Sequence, residues 1–134
     1  MPRCALVSLL IAPGCALSLA LAASSAAAQT PRNFPADALR GDVVITAPPE
    51  ILLNRQAARL APGARIRGMD NMLLMSGAAT GQRLRVHYTR DLQGQLLNVW
   101  VLTPAEEARK PWPSTPQEAA SWRFDADAQR WSPP

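Results

Sequence analysis

Chemically versatile side chains are scarce in this 134-residue chain. It has one histidine, His87, one lysine, Lys110, one tyrosine, Tyr88, and two cysteines, Cys4 and Cys15. Beyond Cys15 there is no thiol, which excludes a disulfide, a thiolate nucleophile and a C-x-x-C motif from the rest of the chain. A general base or triad needs a second positioned group, and a lone His87 with no G-x-S-x-G elbow offers no pattern for one. The reading is therefore non-enzymatic, with no cofactor. One His and no later Cys leave a zinc site only carboxylates. Asp125 and Asp127 form a D-x-D without the further acceptor, Gly and Glu of an EF-hand loop, and read as turn residues.

Charge is modest. Fourteen basic against ten acidic residues give a formal charge of +4. Every basic residue but Lys110 is arginine, and arginine together with abundant Ala and Pro is what GC-rich coding produces. Arginine content is therefore no argument for nucleic acid, and none is expected as a partner.

One segment is apolar enough for a bilayer. Met1–Ala28 carries Arg3, then a run from about Ala5 to Leu21, then Ala26-Ala27-Ala28 ahead of Gln29, the pattern of a secretory signal peptide cleaved near Ala28. An uncleaved anchor is one alternative. Lipidation of Cys15 is another, but Ala12-Pro13-Gly14-Cys15 lacks the Leu expected at −3. With the leader removed, a cysteine-free periplasmic or secreted chain without a transmembrane segment is expected, of unspecified oligomeric state.

Residues 29–38 read as a flexible lead-in. From Leu39 to Leu102, short apolar runs alternate with turn signals at the spacing of a small sandwich or barrel. The runs are 42–46, 50–53, 57–60, 64–67, 72–76, 82–90 and 95–102, with Pro48-Pro49, Asn54-Arg55-Gln56, Pro62-Gly63, 68–71, 77–81 and 91–94 between them. Leu84, Val86 and Tyr88 alternate with Arg83, Arg85, His87 and Thr89, predicting one core and one wet face. A turn at Asp91–Gly94 then returns Leu97, Val99 and Val101 on the core side. Thr103-Pro104-Ala105-Glu106 is a capping box for a short helix to about Lys110, and Thr115-Pro116-Gln117-Glu118 repeats the start signal. The Pro/Trp-rich tail, 111–134, reads either as a small hairpin docked on the barrel or as a mostly disordered segment with aromatic anchors.

Four groups of residues are candidates for binding. Arg65 and Arg67 share an i, i+2 spacing with Arg83 and Arg85 and would form one basic face, of a kind that binds oligonucleotides or acidic polymers, or else solvated outer faces. Trp100 lies mid-strand, while Trp112, Trp122 and Trp131 cluster in the tail, where they either anchor a partner or clip the tail to the barrel. His87, on the predicted outer face, reads as a solvated strand residue. Met69, Met72 and Met75 have a spacing that offers thioethers to Cu(I). A copper carrier would need Met72 or Met75 to meet His87 and Trp100; otherwise these are ordinary core and turn methionines.

The segments Leu39-Arg40-Gly41, Pro48-Pro49-Glu50, residues 62–68 (PGARIRG), Gly81-Gln82 and residues 99–106 (VWVLTPAE) resemble a group of small exported proteobacterial proteins with an OB-like or SH3-like β-barrel core. The resemblance spans Phe34 to Glu107 and implies no catalytic residues. The chain is thus expected to be a mainly β, single-domain barrel or roll of six to seven short strands at 39–110, with a C-terminal helix and the tail. Its expected role is an exported binding or assembly module of the bacterial envelope, docking an envelope protein or a cell-wall component, with a periplasmic copper-binding carrier as the alternative.

Overall fold

Alternation along five strands turns one apolar row inward, and the rows meet as a single core. Val43, Ile45, Ile51, Leu53, Leu60, Ile66, Val86, Tyr88, Leu96 and Val99 are all buried in it. Each fully buried aliphatic side chain contributes about 1.5–3 kcal/mol relative to exposure. The computed structural model describes residues 31–134. The predicted leader, its cleavage near Ala28, Cys4 and Cys15 lie outside the described residues. Among those described, no helix is long and apolar enough to cross a membrane.

The described residues are mainly β, with seven strands. β1 (Leu39–Ala47), β2 (Glu50–Leu53), β3 (Gln56–Arg67), β4 (Arg83–Arg90) and β5 (Leu96–Val101) form a barrel in the order β1-β2-β3-β5-β4. Closure needs two features. β1 pairs with β2 along one edge and with β4 along the other, and β3 pairs in parallel with β5. This is the strand order of an OB-type barrel rather than an SH3-like one. The elements α1 (Pro104–Glu107), α2 (Pro116–Ser121) and a hairpin of β6 (Arg123–Asp125) and β7 (Arg130–Ser132) follow the barrel.

Pro62-Gly63 does not end a strand. It sits inside β3, where Gly63 takes φ +74° and the register with β5 slips between Leu60 and Arg65. The two predicted runs 57–60 and 64–67 are one bent strand, whose first half pairs with β2 and whose second half pairs with β5. The bend is what lets five strands close.

Residues 72–76 form no strand. They belong to the long β3–β4 loop, with a single bridge at Leu73 and a 3₁₀ turn at Ser76–Ala79. Met69, Met72, Leu73 and Met75 are exposed there. In β5 a register slip opposite Thr89 and Arg90 puts Leu96, not Leu97, in the core.

The start signals hold. Thr103 and Glu106 close a reciprocal capping box on α1, and the Thr115 side chain accepts from the Glu118 N–H on α2. Asp125 accepts the N–H groups of Asp127 and Ala128, a turn role as expected.

The lead-in and the tail build a second core. Phe34, Ala38, Leu102, Trp112 and Trp131 are buried together, with Trp100, Trp122 and Phe124 packed around them. The segment 31–38 is therefore packed rather than flexible: the Phe34 N–H donates to Gln129 Oε1 at 2.7 Å, and Gln129 Nε2 donates back to the Phe34 carbonyl. The tail is the docked hairpin of the two readings.

Candidate functional site

Register places four outward side chains in one row across the barrel. Arg67 on β3 faces Trp100 on β5, Trp100 faces His87 on β4, and His87 faces Arg40 on β1. The two halves of this row differ, because the second core covers only one of them.

The His87–Arg40 half is sealed. His87 is fully buried, contrary to a solvated position on a wet face. The alternation is intact, but Trp112 stacks on the imidazole with ring centroids 4.1 Å apart, and Phe34 meets it edge-on at 4.4 Å. Arg40 Nε donates to His87 Nε2 at 3.2 Å, so the proton of the neutral ring sits on Nδ1, a buried atom with no acceptor among the described residues. Burial, then the charges of Arg40, Arg109 and Arg32, push the His87 pKa down to about 2. Arg40 also donates to the carbonyls of Glu106 and Glu107 and lies against the Trp112 ring. Burial and nearby Arg85 lower its pKa to about 10. A neutral, covered imidazole is a packing element and not a proton carrier at neutral pH.

The Arg67–Trp100 half is open. It floors a cleft of about 550 Å³ lined by Arg32, Asn33, Arg67, Asp70, Asn71 and Trp100. Trp100 keeps part of its surface in solvent, with the edge of Phe34 at 5.6 Å behind it. Two arginines hold the rim. Arg67 donates to the Asn71 carbonyl, and Arg32 donates to the Gly68 carbonyl, to the Val101 carbonyl and, with Nε and Nη2, to both carboxylate oxygens of Glu106. Burial raises the Glu106 pKa, but hydrogen bonds from Arg32 and the Thr103 N–H outweigh it and hold the carboxyl below its usual range. Asp70 accepts the Met72 N–H, and Asn71 takes φ +65°, so backbone geometry as well as side chains fixes the loop.

Of the sequence candidates, the structure brings together Arg67 and Trp100. Arg65 is exposed one register step away, opposite Asn98. Arg83 and Arg85 sit further along β4 and both bond Asp42 at 3.1 Å, so the four arginines do not form one face. Desolvation raises the Asp42 pKa, but the two arginine hydrogen bonds leave it lowered overall. Trp112 and Trp131 are buried and Trp122 is half-buried, all three in the second core. Met72 and Met75 are exposed on the loop while His87 is enclosed, so the copper set does not share a surface. The cleft residues Arg32, Asn33, Asp70 and Asn71 carry no sequence signal beyond turn composition.

Chemically the cleft combines one aromatic surface, guanidinium donors, two amides and one carboxylate. Such a set orients a ligand bearing hydroxyls and amides, and arginine adds recognition of a carboxylate. Compared with family models, curated proteins and solved structures, the chain gives no match in any of the three.

Proposed function

We propose that this protein is an exported, non-enzymatic binding module of the bacterial cell envelope, and that its partner is a cell-wall glycan held in the Arg67–Trp100 cleft. The observation that carries this reading is a part-exposed tryptophan beside an arginine, in a cleft also lined by Asn33, Asn71 and Asp70. A sugar ring has an apolar face that lies on an indole, and its hydroxyls and N-acetyl groups both donate and accept. A lactyl-type carboxylate on the glycan would meet Arg67, whose fork suits bidentate contact. OB-type barrels bind oligosaccharides as well as oligonucleotides. The secretory pattern of Met1–Ala28 supports the compartment.

Co-sedimentation with purified, insoluble cell-wall sacculi tests the reading. The protein is expected in the pellet, and Trp100→Ala and Arg67→Ala in the supernatant, while Trp122→Phe behaves as the parent. Parent protein remaining in the supernatant would overturn it.

A further inference from the structure

A second cleft, of about 510 Å³, lies between the end of α1 and the β6–β7 hairpin. Arg109, Lys110 and Arg130 line it, together with Pro111, Gln129 and Trp131, and no carboxylate does. None of the three cations has an ion-pair partner among the described residues, where every salt bridge involves Arg32, Arg59, Arg83 or Arg85. Arg109 gives one hydrogen bond, to the Arg32 carbonyl, and has further N–H donors to offer. Glu106 is taken up by Arg32 and Thr103, and Glu107, nearer along the chain, neither lines the cleft nor pairs with any of the three cations among the described residues. Trp131 in the wall is 3% exposed, and its indole N–H has no acceptor among the described residues.

Three unpaired cations in one concave site repel each other, and an anion there relieves that repulsion. A single carboxylate would satisfy one of them, whereas a phosphate or pyrophosphate group presents several charged oxygens to two arginine forks and an ammonium. We propose that the Arg109–Lys110–Arg130 cleft binds the phosphate group of an anionic envelope ligand, independently of the Arg67–Trp100 cleft. Gln129 ties the β6–β7 hairpin to the lead-in at Phe34, and Arg109, just past α1, donates to the Arg32 carbonyl of the same lead-in, which holds the cations in place before binding.

The test is calorimetric titration with sodium pyrophosphate at low ionic strength, alongside flotation with phosphatidylcholine vesicles with and without phosphatidylglycerol. Lys110→Gln/Arg130→Gln removes two exposed cations without touching either core. Arg55→Gln/Arg65→Gln, on the barrel, has the same net charge and serves as its control. Pyrophosphate binding is expected to weaken about tenfold or more in the first variant, and to persist in the control and in Trp100→Ala. If the vesicles containing phosphatidylglycerol also retain the parent and lose Lys110→Gln/Arg130→Gln, the source is a lipid headgroup; if pyrophosphate alone binds, it is a soluble or polymer-borne phosphate. No pyrophosphate binding, or equal weakening in the two variants, would overturn the site.

Discussion

The His87 imidazole and the Trp112 indole stack with centroids 4.1 Å apart and planes inclined by 22°. This contact joins the outer surface of β4 to the tail, and Trp112 Nε1 fixes it by donating to the Ala38 carbonyl at 2.9 Å. Trp112→Ala is expected to cost about 3–5 kcal/mol of unfolding free energy, as truncating a buried aromatic does. Urea unfolding checks the loss. In the same variant, NMR should show the His87 pKa rising from about 2 toward its ordinary 6.5, since the ring regains water. A tail that merely rests on the barrel would leave both quantities unchanged.

The depressed His87 value sets a pH dependence. Between pH 6.5 and about 2 the unfolded chain holds a proton on this residue that the native protein does not. Stability therefore falls as pH drops through this window, by about 1.4 kcal/mol per unit once well below 6.5. Glu106, held below its ordinary 4.5, adds a loss only at lower pH. Denaturant midpoints measured from pH 7 to pH 5 should decline in the parent and stay nearly flat in His87→Gln.

Arg32 and Glu106 form a buried pair that ties the lead-in to α1. Removing one partner leaves the other charge uncompensated, so Arg32→Met is expected to destabilise by about 3–5 kcal/mol. The double variant Arg32→Met/Glu106→Leu should recover part of that loss. A double-mutant cycle from thermal or urea unfolding gives the coupling directly.

At the β2–β3 turn both Asn54 (φ 52°) and Arg55 (φ 68°) are left-handed. Asn54 suits this, because its side chain accepts the Asp42 N–H. Arg55 is exposed and forms no side-chain hydrogen bond among the described residues. Arg55→Gly is expected to raise stability by up to about 1 kcal/mol, as the relieved left-handed penalty exceeds the entropy glycine costs. A higher urea midpoint with an unchanged slope is the expected result.

Much of the barrel was legible in the sequence, for local reasons. The period-2 run at residues 83–90, the Asp91–Gly94 turn and the Thr103–Glu106 capping box each follow from neighbouring residues, and each appears in the structure. What was not legible depends on distant contacts. Nothing near His87 announces that Trp112, about a fifth of the chain away, will cover it. Pro62-Gly63 reads as a turn, and only closure of the barrel makes it a bend within one strand. Of the candidate site, Trp100 and Arg67 were visible as residue types, but their adjacency follows from parallel β3–β5 pairing. The rim residues Arg32, Asn33, Asp70 and Asn71 meet through the same long-range packing.

The glycan proposed for the Arg67–Trp100 cleft can be observed directly at Trp100. The most direct measurement follows the Trp100 indole ¹⁵N–¹H resonance while a soluble oligosaccharide of N-acetylglucosamine and N-acetylmuramic acid is titrated into the protein. A saturable shift of that resonance is expected, with Trp112 and Trp131 unmoved and the binding lost in Arg67→Ala. A Trp100 resonance that stays in place through millimolar glycan, or saturable shifts confined to the tail tryptophans, would contradict it.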